Sequence, residues 1–156
     1  MTATISRPKI SNWETSNIPN LTGKTALITG ANSGLGYYTA KALAEKNAHV
    51  VIACRSLEKA NQTIKKLKGL NPEGLFTPLE LDLSDLKNIV EVQSKIFDNF
   101  ENLDLLINNA GIMHPPKTLS AQGYEIQFAV NHLAHMLLTL KLLPIIEKKE
   151  ESRIVT

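Results

Sequence analysis

The chemistry this sequence can do is concentrated in a glycine-spaced turn and one arginine. Thr29-Gly30-Ala31-Asn32-Ser33-Gly34-Leu35-Gly36 places glycines at 30, 34 and 36. A turn from strand into helix needs a residue that tolerates unusual φ and ψ, which suits Gly30. At Gly34 the missing Cβ lets a pyrophosphate approach the backbone. At Gly36 it lets a helix pack closely on a sheet. Asn32, Ser33 and Leu35 complete the turn, and the N–H groups of the first helical turn point at the phosphates. Three glycines alone fit a tight turn that binds nothing. Their position after a strand and at the start of a helix, within a βαβ unit, selects phosphate binding.

The next determinant belongs at the end of the second strand, about 20 residues on, where an Asp or Glu would hold the ribose 2′-OH of NAD. The sequence has Cys54 and Arg55 there. A guanidinium offers a planar fork to a 2′-phosphate, and no carboxylate is present at either position to repel it. The expected cofactor is therefore NADP(H) rather than NAD(H). The plain alternative is a solvated arginine at a strand end.

Other clusters carry less. His132 and His135 are spaced i, i+3, but no third ligand accompanies them, so no metal is expected. Cys54 reads as a small apolar residue. A single Cys excludes an internal disulfide framework and any CxxC metal site. Lys+Arg number 17 against 15 Asp+Glu, a net +2. The densest basic group, Lys65, Lys66 and Lys68, has no interleaved aromatics, so no nucleic-acid partner is expected. The N-terminus lacks the apolar core of a signal peptide. The apolar stretch Met136 to Ile146 is too short to span a bilayer and contains Lys141 and Pro144. No integral membrane segment and a cytoplasmic setting are expected.

The elements that position these residues follow from periodicity. Residues 1–22 read as an irregular N-terminal arm, anchored by Trp13, Ile18 and Leu21, and 23–156 as a dinucleotide-binding domain. Thr25–Thr29, His49–Cys54, Leu75–Leu81 and Leu103–Asn108 read as buried strands. Pro78 places the third near an edge. Helices are expected at Gly34–Asn47, with Leu35, Thr39, Ala42 and Leu43 on one face; after an N-cap at Ser56, with Leu57, Ala60, Ile64 and Leu67 inward; and after an N-cap at Ser84, with Leu86, Ile89, Val90, Ile96, Phe97 and Phe100 inward. The last helix is expected over 120–143. One apolar stripe holds Ile126, Ala129, Val130, Leu133, Met136, Leu137 and Leu140, and a second face Phe128, Leu138 and Leu142. The second face suits either a subunit interface, hence a homo-oligomer, or further C-terminal helices. Arg153–Thr156 opens a fifth strand. Alternating strands and helices give an α/β, doubly wound parallel sheet of the Rossmann type, ordered 3-2-1-4-5, its fifth strand incomplete.

These residues resemble the short-chain dehydrogenase/reductase family. Beyond the glycine turn, Asp82 and Leu83 follow the third strand, where the family holds the adenine with an Asp side chain and the next backbone. Asn108-Asn109-Ala110-Gly111 looks like the family's N-N-A-G signature, whose first Asn props the sheet and whose Asn109-Ala110-Gly111 backbone would lie beside the cofactor ribose. Val130-Asn131-His132 looks like the family's helix Asn, one of its Asn-Ser-Tyr-Lys catalytic set. Within the family, Trp13, Ile18-Pro19, Gly23-Lys24-Thr25 and the turn at 29–36 resemble the retinol-dehydrogenase-like group. The 30/34/36 spacing fits the compact branch rather than the extended, epimerase-like one.

The resemblance implies hydride transfer between a nicotinamide and a small-molecule alcohol or carbonyl, with Tyr as proton donor or acceptor, Lys lowering its pKa, and Ser bonding the substrate oxygen. Only Asn131 of that set lies within these residues. It is expected to kink its helix and help hold a relay water. Tyr37-Tyr38-Thr39-Ala40-Lys41 is formally Y-x-x-x-K but sits in the first helix, and His114-Pro115-Pro116 frames the substrate side. The 156 residues are expected to bind NADPH weakly and to turn nothing over. Two alternatives differ in class: a non-catalytic dinucleotide-binding or regulatory protein, and an S-adenosylmethionine-dependent methyltransferase, which an acidic residue at the second strand end would favour.

Overall fold

The computed structural model describes residues 13–156. Five strands form one parallel sheet: β1 (Thr25–Thr29), β2 (His49–Cys54), β3 (Phe76–Glu80), β4 (Leu105–Ile107) and β5 (Arg153–Val155). Their order is β3-β2-β1-β4-β5, as the alternation of elements predicts. β1 is central. Leu27 sits between Val51 and Leu106, and Ile28 between Ile52 and Ile107. Each is wholly buried, because a doubly wound sheet covers both faces and its inner strands need no polar side. Pro78 lies on the edge strand β3, opposite Ile52, where its missing N–H costs no ladder bond to a further strand.

Helices α1 (Gly34–Ala44), α2 (Leu57–Leu70) and α3 (Leu86–Asn99) follow β1, β2 and β3. The fourth helix, α4 (Ile126–Ile146), is a turn of α-helix, a π-helical segment at Ala129–Leu133, and an α-helix over Ala134–Ile146. One core joins α3 and α4 to one face of the sheet through Leu27, Val51, Ile89, Ile96, Leu106 and Leu138. The other joins α1 and α2 to the opposite face through Ile28, Ala40, Leu43, Ile52, Ala60 and Leu67.

Several expected details are corrected. Of the N-terminal arm, residues 1–12 lie outside the described residues. Trp13 is exposed and belongs to neither core among the described residues, whereas Leu21 packs on the α1/α2 core. On α1 the buried residues are Gly36, Ala40, Leu43 and Ala44, and Leu35 is exposed. On α2 and α3, Leu57, Val90 and Phe97 are exposed, while Thr63 and Val92 are buried. α3 is capped by Asp85, whose carboxylate accepts the Lys87 N–H at 2.9 Å. The hydroxyl of Ser84 instead donates to Asp82 at 2.6 Å.

α4 differs most. It starts at Ile126, after a turn in which Ser120 is bridged to Tyr124, and Glu125 caps it by accepting the N–H groups of Gln127 and Phe128. It continues through Pro144 to the buried Ile145 and Ile146. Met136 and Leu140, expected inward, are exposed; Leu138 and Leu142, expected on the second face, are fully buried. The π segment explains the exchange. It adds a residue to one turn, so every position after it is rotated about 100° from the phase a regular helix would give. The helix is long and apolar enough in composition to cross a membrane, yet here its Ala134, Leu138 and Leu142 face is packed in the core.

At the N-terminal end of the sheet, the buried carboxylate of Asp104 accepts the Thr25 N–H at 2.9 Å and pairs with the Lys24 ammonium at 3.0 Å. Asp104→Ala leaves the Thr25 N–H without its charged acceptor. It is expected to cost about 2 kcal/mol, lowering Tm by roughly 4–8 °C, as calorimetry would show. Asp104→Asn should cost less, because an amide oxygen can still accept from Thr25.

Candidate cofactor site

The C-terminal ends of β1, β2, β3 and β4 open onto a cleft of about 340 Å³. Its position is where the crossovers to either side of β1 part company, the place an open α/β sheet leaves for a ligand. Gly30, Asn32, Arg55, Asp82, Leu83, Ala110 and Gly111 all line it.

The turn at its floor is built as its glycines suggest. Gly30 and Gly34 have φ of +66° and +53°, the left-handed region where a side chain is strained. A Cβ on Gly34 would meet nothing within 4 Å, so the space above that backbone is open to a ligand. A Cβ on Gly36 would lie 2.5 Å from the Gly30 carbonyl oxygen and 2.5 Å from Asn109 Nδ2. Gly36 is therefore a packing glycine, and α1 rests directly on β1 and the turn after β4. Ser33 occupies the N-cap of α1 but makes no side-chain cap bond, which leaves the first-turn N–H donors free of it. A phosphate is the natural acceptor for such donors.

Asn109 ties the two strand ends together. Its Nδ2 donates to the Thr29 carbonyl at 2.9 Å, and the backbone N–H groups of Asn109 and Ala110 both donate to Thr29 Oγ1 at 2.9 Å. Asn108 donates from Nδ2 to Thr139 on α4 at 3.0 Å, and its backbone N–H reaches the Val155 carbonyl on β5 at 2.8 Å. Asp82 is held in a side-chain turn: its Oδ1 accepts the N–H and hydroxyl of Ser84 at 2.8 and 2.6 Å. Its backbone N–H donates to Asn88 at 2.8 Å. Leu83 lines the cleft but buries its side chain in the core.

Arg55 is exposed at the end of β2 and makes no ion pair among the described residues. Ser56, the expected N-cap of α2, accepts the Lys59 N–H at 3.3 Å. Lys59 also lines the cleft. Sequence reading misses it, although a lysine in the first turn of the helix that follows Arg55 is a usable signal. Ser84, Ile112, Ile126 and Val130 are further lining residues that sequence reading does not reach. Burial pushes the Cys54 thiol up from its ordinary value, so it is an inert, apolar-like wall rather than a nucleophile.

Asn131 sits in the middle of the π segment, where the regular helical ladder is interrupted. Its side chain is tied to the loop after β4. Oδ1 accepts the Ile112 N–H and Nδ2 donates to the Ile112 carbonyl, both at 2.9 Å. One turn earlier, Gln127 Oε1 accepts the His114 N–H at 3.0 Å. Two amides of α4 thus grip alternate residues of the loop after β4, at the rim of the cleft. Among the described residues no group of three or more His, Cys, Asp or Glu could hold a metal.

Two histidines, the half-buried His49 and the buried His135, are held below the ordinary value of 6.5 by desolvation. The unfolded chain takes up these protons near 6.5 and the folded one only at lower pH. Between those values the unfolded state binds more protons, so this stabilisation is complete above pH 6.5 and is lost as pH falls through the folded values. Asp85, lowered by the Gln122 amide and the Lys87 N–H, and Glu125, lowered by the Gln127 and Phe128 N–H groups, add a second loss. It begins only below their ordinary values of 3.8 and 4.5. Urea midpoints measured from pH 7.5 downward should fall in two stages, the first starting near 6.5.

The profile of the short chain dehydrogenase family matches residues 24–156. The chain belongs to the short-chain dehydrogenases. Human retinol dehydrogenase 13 is 42% identical over 133 residues, 85% of this chain and 40% of that protein. A metagenomic short-chain oxidoreductase solved in complex with NADP is 26% identical with a TM-score of 0.75, covering 86% of this chain and 62% of that one. A Haemophilus influenza structure with bound NAD is 26% identical with a TM-score of 0.71, covering 87% and 55%. The short-chain dehydrogenase described here spans less than half of the human relative's length, and its likeness is to the retinol-dehydrogenase-like group.

Proposed function

We propose that the cleft binds NADP(H) and that these residues are the cofactor-holding part of an oxidoreductase that interconverts an alcohol and a carbonyl. The observation that carries the reading is the end of β2. Arg55, Lys59 and the N-terminus of α2 surround one side of the cleft, and Cys54-Arg55 offers no carboxylate to a ribose 2′-OH. Two cations and a helix N-terminus favour a dianionic 2′-phosphate over a hydroxyl. The NADP-bound relative supports a nicotinamide dinucleotide, and the NAD-bound one shows why the fold alone does not choose between the two.

The residues fit such a group. The open space over Gly34 and the uncapped first turn of α1 receive the pyrophosphate, Asp82 and the Leu83 backbone the adenosine, and Asn109-Ala110-Gly111 the nicotinamide ribose. The chemistry a bound nicotinamide supplies is hydride transfer. This chain's part is to fix position. Thr29 and Asn109 lock the strand ends, and Asn131 holds the Ile112 backbone at the rim, which makes it a positioning residue. The acid–base Ser, Tyr and Lys of the family pattern are outside these residues, so we propose that they bind cofactor without turnover. The apolar residues that α4 leaves exposed, Phe128, Met136 and Leu140, suit association with further protein, a second copy included.

Titration of the 156-residue protein with NADPH and NADH, followed by coenzyme fluorescence, tests this. Saturable binding, tighter for NADPH, is expected. No binding of either coenzyme, or equal affinity for both, contradicts it.

A further inference from the structure

Thr29 Oγ1 has four polar neighbours. The N–H groups of Asn109 and Ala110 donate to it at 2.9 Å each, His135 Nε2 lies 2.9 Å away, and the Ile107 carbonyl lies 3.4 Å away. A hydroxyl has two lone pairs and one proton. The Ala110 amide and the Asn109 amide, the latter shared with the Ile107 carbonyl at 3.0 Å, use the lone pairs, so the proton leaves toward an acceptor. The near one is Nε2, which must then be unprotonated. His135 Nδ1 faces the Asn131 carbonyl at 3.2 Å, and a carbonyl can only accept, so Nδ1 must carry the ring proton. One tautomer satisfies every atom. The other turns a lone pair toward the Asn131 carbonyl and drives the Thr29 proton onto the Ile107 carbonyl at 3.4 Å, which the Asn109 N–H already shares, and the imidazolium makes the second of those errors. His135 is buried, with no charged side chain among the described residues acting on its titration, and burial outweighs the favourable Asn131 carbonyl, so the neutral ring is favoured.

We propose that His135, neutral and protonated on Nδ1, is a positioning residue for the cofactor floor. By taking the Thr29 proton it leaves both Thr29 lone pairs to the Asn109 and Ala110 amides, and it fastens the Asn131 backbone of the π segment to the end of β1. This rests on the reading of the cleft as a dinucleotide site, and it adds a residue that does not itself line the cleft.

Long-range proton–nitrogen NMR of the histidines, with His135 assigned by its loss in His135→Gln, reads the tautomer directly. Hydrogen exchange at the Asn109 and Ala110 amides reads the hub, and NADPH titration reads its consequence. His135→Leu fills the space without an acceptor; His135→Gln restores an amide oxygen. His135→Leu is expected to speed exchange at both amides and weaken NADPH binding, each about ten-fold, with His135→Gln within about three-fold of the natural protein. A proton on Nε2, or amides and affinity unchanged in His135→Leu, overturns the proposal. Should His135→Leu fail to fold, the tautomer and the His135→Gln rescue still decide it. The expected tautomer and amide response in a protein that binds neither coenzyme would refute the dinucleotide reading and the positioning role with it, while upholding the hydrogen-bonded hub.

Discussion

Gly36→Ala is expected to destabilise the fold by about 2–3 kcal/mol and to abolish coenzyme binding. The added methyl would sit 2.5 Å from the Gly30 carbonyl oxygen, a backbone atom. Gly30 cannot retreat freely, because its own Cβ position is 3.0 Å from Ala110 Cα. Asn109 Nδ2, the other near atom, would have to leave the Thr29 carbonyl. Helix, turn and strand end therefore move together, and the Tm falls by roughly 4–12 °C. Gly34→Ala separates packing from binding. Its methyl meets no protein atom, so the cost is the left-handed φ, about 1–2 kcal/mol. Yet it occupies the open space over the loop, and coenzyme affinity should fall nearly as far as in Gly36→Ala. Thermal melts and coenzyme titrations on the pair check this. Equal stability of the two variants would refute the packing role given to Gly36, and unimpaired binding by Gly34→Ala would refute the phosphate cradle.

Arg55→Ala should weaken NADPH binding by about ten- to thirty-fold and NADH binding by less than about three-fold. The lower part of the range for a charge-assisted contact applies because Arg55 is exposed and screened by water and salt. Lys59→Ala should act in the same direction and more weakly, since an ammonium is a point charge rather than a fork. The double variant should bind the two coenzymes about equally. Raising ionic strength should narrow the preference of the natural protein and leave that of the double variant unchanged. Parallel losses for both coenzymes would remove the 2′-phosphate from this corner of the cleft.

What could be read from the sequence was whatever depends on neighbours in the chain. The strand order follows from short apolar runs separated by helical spacing, and the Gly30 backbone follows from a turn that glycine tolerates best; the left-handed φ of Gly34 was not read. The faces of α4 could not be read that way. The π segment at Ala129–Leu133 shifts the phase of all that follows, and no periodic template contains it. Ser84 looked like the cap of α3 because Ser caps helices, but Asp82, two residues back, takes its hydroxyl and Asp85 does the capping. The grip of Asn131 on Ile112 could not be read because nothing local shows that the loop after β4 returns to meet it. His135, read only as one of an i, i+3 pair with His132, hid its tie to the sheet for the same reason: its partner, Thr29, is 106 residues away. Lys59 was legible but not read, being an ordinary lysine on a helix until β2 and α2 place it beside Arg55.

Amide NMR of the 156-residue protein with saturating NADP⁺ and then NAD⁺ puts the site itself to the test. Both coenzymes should shift Gly34, Leu35, Gly36, Ala110 and Gly111, and NADP⁺ alone should shift Arg55, Ser56 and Lys59. Shifts elsewhere on the surface, or an identical pattern at 55–59 for both coenzymes, would contradict the assignment of this cleft to a 2′-phosphorylated dinucleotide.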